Sequence, residues 1–256
     1  MIHQTVIIDP SSQIDENVEI GPYTVIGANV SIGAGSIIGS HVTINGTTKI
    51  GKNNRIYQFS SIGEDPQDKK YAGEKSFLEI GDNNEIREFT TIHRGTTQDK
   101  NTTIIGSNNL LMAYSHVAHD CIIKNDVILA NAASLGGHVH VGNNVILGGF
   151  SIVHQFCHLG DHCFSAMGSA ITKDVPPFVM VGGRPTKPHG INSVGLDRRG
   201  FSQEAILQIK RAYKVLYKSG LKLSEATSKL SELAKEQPEL NAMVDFLENS
   251  SRSILR

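Results

Sequence analysis

Residues 13–33 read QIDENVEIGPYTVIGANVSIG, with isoleucine at every sixth position and glycine directly after three of these isoleucines. The interval extends along most of the chain. Isoleucine stands at 2, 8, 14, 20, 26, 32, 38, 44, 50, 56, 62, 80, 86 and 92, and an aliphatic residue stands at 105, 111, 117, 123, 129, 135, 141, 147, 153, 159 and 171. Because side chains repeat their facing every two residues in a strand and about every 3.6 residues in a helix, this interval fits neither a helix nor a long flat strand. The pattern predicts a solenoid.

The positions around each aliphatic residue indicate the shape of one repeat. Glycine often follows it, where the backbone must bend or be approached closely, and the residue two places before it is mostly small or β-branched. A triangular prism satisfies both rules if each hexad forms a short strand on one face and then a corner. Three hexads complete one coil, and parallel stacking at about 4.8 Å predicts about nine or ten coils in a rod roughly 45 Å tall. We therefore predict a mainly β fold, a parallel β-helix.

Composition limits the classes of function. The chain has 256 residues and a net charge of −1, which argues against wholesale binding to nucleic acid. No long apolar run occurs and the repeat begins at once, so we expect no integral membrane segment, no signal peptide and a cytoplasmic location. Cys121, Cys157 and Cys163 fall at the small inward position, and the first two lie two coils apart, about 9.6 Å, which is too far for a disulfide. We expect free thiols in the core, as in a reducing compartment.

Two interruptions divide the repeat. Residues 64–79 place Asp68 and Glu74 where aliphatic residues belong, and residues 95–104 are polar and shift the count by one. Both are predicted to be loop excursions from the prism, and loops that leave a rigid scaffold commonly carry function.

Proline and glycine dominate residues 176–190, which is typical of the end of a solenoid. We predict a β-helix over 1–190 and a C-terminal helical domain over 191–256. Its helices are expected from Ser202 to Gly220, at about 223–236, and at about 238–250 after Pro238. Residues 173–222 carry ten basic and three acidic side chains, which favours an anionic partner, although solvated helix faces explain part of this charge.

Histidine concentrates in the second half of the repeat. The aliphatic residues at 92, 117, 135 and 153 are expected to share one face. Each is one coil of eighteen residues from the next, except that the second interruption adds residues between 92 and 117. Beside them lie His93, His116, His119, His138 and His154, with Asp120 next to His119. Such a cluster predicts a functional site. Two chemistries fit: an imidazole beside a carboxylate can act as a general base on a hydroxyl, and three neutral imidazoles can hold zinc with an open position for water.

Five stretches carry a closer resemblance: QDKKYAGE (67–74), TIHRGT (91–96), HVAHDC (116–121), HQFC (154–157) and GLDRRGF (195–201). With the hexapeptide repeat, they make the chain similar, essentially end to end, to the UDP-N-acetylglucosamine acyltransferases, hexapeptide-repeat enzymes of lipid A biosynthesis. The resemblance implies a left-handed parallel β-helix, a homotrimer, and no metal or other cofactor. It also implies transfer of a 3-hydroxyacyl chain from acyl carrier protein to the glucosamine 3-hydroxyl of UDP-N-acetylglucosamine, or to the amine of the 3-amino analogue.

The resemblance implies roles for particular residues. His119 matches the general base, Asp120 its orienting neighbour, and Gly137 the backbone amide that stabilises an oxyanion. The positions that match substrate contacts are Asp68, Lys70, His93, His116, His138, His154, Gln155, Arg198 and Arg199, and the paired guanidinium groups suit phosphate. Asp197 stands where the family pattern carries a basic residue. The remaining basic residues of 173–222 would receive the acidic carrier protein.

Met167 matches the position where, in this family, a small residue admits a longer acyl chain and a bulky one shortens the tunnel. We expect a chain of roughly ten to twelve carbons, since each methylene gains about 0.8 kcal/mol only where it is buried. Two other classes of function stay open at this point. A zinc hydro-lyase resembling γ-type carbonic anhydrase would hold stoichiometric zinc, whereas a non-catalytic solenoid scaffold would have no need of clustered histidines.

Overall fold

The computed structural model describes residues 1–250 and 252–256. Short strands alternate with tight corners in the first part of the chain, and helices follow. The strands are β1 (Ile7–Ile8), β2 (Gln13–Ile14), β3 (Glu19–Ile20), β4 (Val25–Ile26), β5 (Val30–Ile32), β6 (Ile37–Ile38), β7 (Thr43–Ile44), β8 (Thr47–Ile50), β9 (Arg55–Ile56), β10 (Ser61–Glu64), β11 (Phe77–Ile80), β12 (Glu85–Ile86), β13 (Thr91–His93), β14 (Thr102–Ile105), β15 (Leu110–Leu111), β16 (His116–Val117), β17 (Ile122–Ile123), β18 (Ile128–Leu129), β19 (Ser134–Leu135), β20 (His140–Val141), β21 (Ile146–Leu147), β22 (Ile152–Val153), β23 (His158–Leu159), β24 (Phe164–Ser165), β25 (Ala170–Ile171), β26 (Val179–Gly182) and β27 (Lys187–Ile191). The helices are α1 (Ser193–Arg198), α2 (Gln203–Lys218), α3 (Leu223–Ala234) and α4 (Asn241–Asn249), with a 3₁₀ turn at Pro238–Leu240 before α4.

The strands form three sheets, each of which takes every third strand along most of its length. Face 1 has the order β1-β4-β7-β10-β13-β16-β19-β22-β25, face 2 the order β2-β5-β8-β11-β14-β17-β20-β23, and face 3 the order β3-β6-β9-β12-β15-β18-β21-β24-β26-β27. On face 1, Ile92 pairs with Val117, Val117 with Leu135, and Leu135 with Val153, all in parallel register. The prediction that these four residues share one face is confirmed, and with it the triangular coil.

The isoleucine of each hexad fills the interior. Ile32, Ile44 and Ile62 have no exposed surface, and the small or β-branched residue two places earlier, such as Val42, is equally buried. Fully burying one such side chain contributes about 2 to 3 kcal/mol, and β-branched residues fit the stacked pleats of a sheet. The core is therefore a continuous column of aliphatic side chains along the axis of the prism.

Glycine after the isoleucine serves close approach between coils. A Cβ on Gly21 would lie 2.8 Å from the carbonyl carbon of Gly39 in the next coil, closer than any real contact allows. The sharp bend comes two residues later, where Tyr23 and Asn29 both have a φ of 59°. The sequence left two roles for the glycine after the isoleucine, a backbone bend or a close approach. At Gly21 the structure shows the close approach, and the bend occurs at the non-glycine residue Tyr23.

Both predicted excursions leave the prism, but their bounds differ from the expectation. The first excursion spans residues 65–76, between β10 and β11, and the second spans residues 94–101, between β13 and β14. Residues 77–79 and 102–104 are strand rather than loop, because β11 pairs in register over four residues with both β8 and β14. The repeat thus resumes earlier than its aliphatic residues indicate.

The proline- and glycine-rich segment ends the solenoid with a hairpin, because β26 pairs parallel with β24 and antiparallel with β27. The three predicted helices are confirmed as α2, α3 and α4, and the Ser202 hydroxyl accepts the α2 N-cap hydrogen bond from Ala205 N at 3.1 Å. Helix α1 was not predicted. No helix of the described residues is both long enough and apolar enough to cross a bilayer.

The three thiols are free and buried, as predicted. Burial raises the pKa of the Cys121 thiol to about 12 and that of Cys157 to about 11. Both side chains therefore stay protonated near neutral pH and act as small core residues.

Candidate active site at one corner of the prism

The candidate site lies at the corner between face 1 and face 2. His119 and Asp120 lie between β16 and β17, and His138 lies in the next coil between β19 and β20. Asp120 and His138, eighteen residues apart, have φ values of 59° and 61°. This is the left-handed conformation that Asp and His tolerate better than most residues. The winding therefore brings a carboxylate and two imidazoles together at one corner.

His119 and Asp120 form a hydrogen-bonded pair. His119 Nδ1 lies 2.9 Å from Asp120 Oδ2, and both residues are buried. Asp120 also accepts from the amide of Thr96 at 2.9 Å and from its hydroxyl at 2.7 Å. Burial opposes ionisation, but the hydrogen bonds from His119 and Thr96 hold the pKa of Asp120 below its ordinary value. An ionised Asp120 requires a proton on Nδ1 of His119, which leaves Nε2 as the basic nitrogen.

His138 belongs to a second carboxylate–imidazole pair. Its Nδ1 lies 2.8 Å from Asp99 Oδ2, and the Asp99 carboxylate comes from the second excursion. The ring stacks on Phe156 at a centroid distance of 4.4 Å and meets the His119 ring edge-on at 5.1 Å. The two imidazoles therefore face the same space, each held by its own carboxylate.

Gly137 packs directly against the imidazole of His119. A Cβ at this position would lie 2.6 Å from His119 Cε1 and 2.8 Å from Nε2. The absence of a side chain is therefore what lets the backbone of Gly137 approach the imidazole of His119 so closely.

His93 and His116 form another perpendicular pair at a centroid distance of 5.1 Å. Burial, then the neighbouring His116, lowers the pKa of His93 to about 4. Burial, then the neighbouring His119, lowers the pKa of His116 as well, and its Nδ1 lies 2.7 Å from the Thr91 hydroxyl. Both rings are neutral near pH 7, so they can exchange hydrogen bonds with polar groups without adding charge.

A cavity of about 900 Å³ opens at this corner. It is lined by Asp68, Lys70, Gln98, Asp99, His119, His138, Gln155 and Phe156. Asp68 and Lys70 come from the first excursion and Gln98 and Asp99 from the second. The cavity is thus built jointly by the corner and by both excursions.

The donor set at the corner differs from the three imidazoles of the zinc hypothesis. The ligand atoms of His119, Asp120 and His138 lie within 4.8 Å of one another, which marks them as a candidate metal group. Three neutral imidazoles would be needed for the proposed zinc site, whereas here two imidazoles meet one carboxylate. Both Asp120 oxygens already accept hydrogen bonds from Thr96, and Nδ1 of each imidazole is held by a carboxylate.

Not every residue that the sequence singled out meets at this corner. His154 is exposed, and its Nδ1 lies 3.0 Å from the carbonyl oxygen of Gln155. Arg199 donates to Asn144 Oδ1 at 2.7 Å, in the corner between face 2 and face 3, and Arg198 is exposed beside it. Met167 is 76% exposed at the corner between face 3 and face 1. Arg198, Arg199 and Met167 therefore lie at other corners than His119 within one chain, whereas His154 lies between β22 and β23 at the same corner but does not line the cavity described above.

Some residues of the corner were missed from sequence. Thr96 holds Asp120, Asp99 holds His138, and Gln98 and Phe156 line the cavity. Phe156 could have been found, because it follows His138 by one coil of eighteen residues. Thr96, Gln98 and Asp99 belong to an excursion, where counting by hexads gives no position.

Known proteins resemble the chain along its whole length. Residues 174–255 match the family model described as UDP N-acetylglucosamine O-acyltransferase, domain 2, and residues 1–33, 11–46 and 102–137 match the bacterial transferase hexapeptide model. Acyl-[acyl-carrier-protein]–UDP-N-acetylglucosamine O-acyltransferases from Pseudomonas syringae and Herminiimonas arsenicoxydans are 57% and 53% identical, over 100% of this chain and 99% of each relative.

Solved structures agree with these relatives. The UDP-N-acetylglucosamine O-acyltransferase of Moraxella catarrhalis is 48% identical with a TM-score of 0.97, over 100% of this chain and 99% of that chain. The UDP-N-acetylglucosamine acyltransferase of Arabidopsis is 35% identical with a TM-score of 0.86, over 100% of both chains.

The fold is a left-handed parallel β-helix of hexapeptide repeats followed by helices, and the His–Asp pair at its corner is suited to proton abstraction. These features define a hexapeptide-repeat acyltransferase. Identity above 50% across full-length relatives is more specific than the fold. The chain belongs to the UDP-N-acetylglucosamine O-acyltransferase family.

Proposed function

We propose that this protein transfers a 3-hydroxyacyl chain from acyl carrier protein to the glucosamine 3-hydroxyl of UDP-N-acetylglucosamine, the first step of lipid A biosynthesis. The observation that carries the proposal is the His119–Asp120 pair at the cavity of a chain that matches such enzymes end to end. Zinc hydration chemistry and a scaffold role have no comparable support.

The chemistry follows from the corner geometry. Nε2 of His119 removes the proton of the 3-hydroxyl as the oxygen attacks the thioester carbonyl carbon, and Asp120 stabilises the imidazolium. The tetrahedral oxyanion receives a hydrogen bond from the amide of Gly137. The carbon–sulfur bond then breaks, and the proton held by His119 goes to the departing thiolate. The products are the 3-O-acyl sugar nucleotide and the free carrier thiol.

The lining residues divide between the two substrates. Asp68, Lys70, His138 and Gln155 reach the cavity and supply hydrogen bonds to the sugar and to the thioester arm. His93 and His116, both neutral, line the approach on face 1, and His154 directly follows β22 of the same face.

A homotrimer completes the site. Arg198 and Arg199 lie at the corner between face 2 and face 3. In the proposed trimer, an arginine of a neighbouring copy reaches the diphosphate of a nucleotide bound beside His119. A stack of rings at the corner between face 3 and face 1, among them the exposed Tyr23, Phe59 and Tyr114, offers apolar surface for a neighbour. Light scattering of the purified protein should give the mass of three chains, and the mass of one chain would contradict the assembly.

The acyl chain runs across face 1. Ile152 is 52% exposed on this face, two strands from His116, and Phe150 and Met167 are exposed at the corner beyond it. In the trimer these side chains form an apolar groove that Met167 closes. The basic side chains of residues 173–222 receive the acidic carrier protein, and free core thiols fit our assignment to the cytoplasm.

The test is acyl transfer with defined substrates. Purified protein is incubated with UDP-N-acetylglucosamine, or its 3-amino analogue, and a series of 3-hydroxyacyl carrier proteins, and the products are identified by mass spectrometry. We expect an acylated sugar nucleotide with a preference near ten to twelve carbons, and Met167→Gly should move that preference toward about fourteen carbons because more methylenes can be buried. Absence of any acylated product, or stoichiometric zinc in the purified protein, would overturn the proposal.

A further inference from the structure

Asp99 occupies an unusual place for a residue that contacts the candidate site. It lies in the second excursion, outside the hexapeptide register, yet its carboxylate lies 2.8 Å from Nδ1 of His138. The His138 side chain is 12% exposed and that of Asp99 is 34% exposed. The carboxylate therefore reaches the imidazole from the solvent side of the corner.

The ring of His138 has few orientations open to it. Phe156 stacks against one face with an interplanar angle of 7°, and His119 meets the ring perpendicularly. With its plane fixed in this way, the ring can flip only between two arrangements that exchange Nδ1 and Cδ2. The hydrogen bond to Asp99 selects one of them, keeps the proton on Nδ1 and leaves Nε2 as an acceptor.

The same excursion supports the other imidazole. Thr96 donates twice to Asp120, and the amides of Asp99 and Asn101 both donate to the carbonyl oxygen of Thr96, at 3.3 Å and 3.0 Å. The turn that anchors Thr96 on Asp120 therefore also sets the position of Asp99. One short loop holds the orienting carboxylate of His138 and steadies that of His119.

We propose that Asp99 is a positioning residue that fixes His138 so that its Nε2 accepts a hydrogen bond from a hydroxyl of the sugar nucleotide. The proposal rests on the proposed function, because it takes the sugar nucleotide as the ligand of this cavity. It assigns Asp99 to recognition of the acceptor rather than to proton transfer, which belongs to His119 and Asp120.

Four variants test this role: Asp99→Ala, Asp99→Asn, His138→Ala, and the double variant of Asp99→Ala with His138→Ala. The dissociation constant for UDP-N-acetylglucosamine is measured by calorimetry, and KM is measured for both substrates. Asp99→Ala should raise both the dissociation constant and the KM for the sugar nucleotide about tenfold or more. The KM for the acyl carrier protein thioester should stay unchanged. Asp99→Asn should retain most of the affinity, because its amide oxygen still accepts from Nδ1. The double variant should bind no more weakly than His138→Ala, since Asp99 acts only through that ring.

Lys100→Ala is the matched control, because Lys100 is exposed in the same excursion and is expected to bind and turn over like the unaltered protein. Unchanged affinity in Asp99→Ala, equal losses in Asp99→Asn and Asp99→Ala, or additive losses in the double variant would each overturn the role of Asp99. Failure of the proposed function is a separate result: the unaltered protein would then neither bind the sugar nucleotide nor form an acylated product.

Discussion

Asp120 and His138 hold a backbone conformation that the scaffold imposes at its corners whether or not a site is present. Asn29 and Tyr23 have the same left-handed φ in coils that carry no candidate site. The corner that carries the candidate site thus differs from the other corners in its side chains rather than in its backbone.

Counting by eighteen predicts from sequence that Asp120 and His138 are neighbours. It cannot predict that a carboxylate from an excursion reaches His138, since tertiary hydrogen bonds determine the path of that loop.

Gly137→Ala tests whether the close approach of the Gly137 backbone to the His119 imidazole is required for turnover. The added Cβ would meet the imidazole at 2.6 Å and displace it, and a displacement of about 1 Å can cost roughly a hundredfold in rate. We expect kcat to fall about a hundredfold while the melting temperature changes little.

Gly149→Ala is the matched control, because the nearest atom to its Cβ is a backbone oxygen at 3.3 Å and no imidazole is near. Turnover of folded Gly137→Ala at the rate of the unaltered protein would show that the contact is not required.

The two excursions behave as one hydrogen-bonded unit. The hydroxyl of Thr97 donates to Glu74 at 3.2 Å, and the Asn101 side chain donates to the carbonyl oxygen of Lys75 at 2.9 Å. Next to them, Gly95 N donates to the carbonyl oxygen of Phe77, at the start of β11, at 3.0 Å. The sequence predicts that both segments leave the prism because they lose the aliphatic interval. The sequence does not predict that the two excursions contact each other, because several strands of the repeat separate them along the chain and they meet only in the folded protein.

Arg94 fastens the first excursion to the prism. Its buried guanidinium donates to the carbonyl oxygen of Gly63, to the carboxylate of Asp65, and to the hydroxyl of Tyr71 at 3.2 Å. Arg94→Met should release residues 65–76, which carry Asp68 and Lys70, at a cost of about 1 to 3 kcal/mol for the lost buried hydrogen bonds. We expect faster limited proteolysis within 65–76 and a higher KM for the sugar nucleotide.

Arg55→Met is the control for this prediction, because Arg55 is an exposed arginine of the scaffold that stacks on Tyr57. If Arg94→Met left both the cleavage rate and the KM unchanged, the loop would not depend on this guanidinium.

A single six-residue interval in the sequence specifies most of the architecture of this protein. The register on face 1 follows from counting, because each coil is closed by three hexads and its interior accepts mainly aliphatic or small side chains. The counting describes one chain, however, and Arg198 and Met167 lie at corners away from His119. Their proposed roles depend on assembly, for which the repeat gives no rule.

Two histidines, the buried His93 and the partly buried His140, make stability depend on pH. Burial is the main cause that lowers the pKa of His93 and of His140 from 6.5 to about 4. Between these values the unfolded chain binds protons that the folded chain does not, so the free energy of unfolding falls as pH falls from about 6.5 to about 4. For His93, which is 4% exposed, the loss is on the order of 2 to 3 kcal/mol.

Urea midpoints measured across this pH range check the expectation. His93→Asn should weaken the dependence on pH, whereas His3→Asn, at an exposed position, should leave it unchanged. A midpoint that rises as pH falls from about 6.5 to about 4 would contradict the assignment of neutral buried rings.

The most direct measurement is the turnover of His119→Ala with acyl carrier thioester and UDP-N-acetylglucosamine, compared with that of His3→Ala, which alters an exposed histidine outside the site. Because a general base contributes about a hundredfold to ten-thousandfold, product formation by His119→Ala should fall at least about a hundredfold, with melting temperature and oligomeric mass unchanged. His3→Ala should retain full activity. Turnover of folded His119→Ala near that of the unaltered protein would contradict proton abstraction by His119.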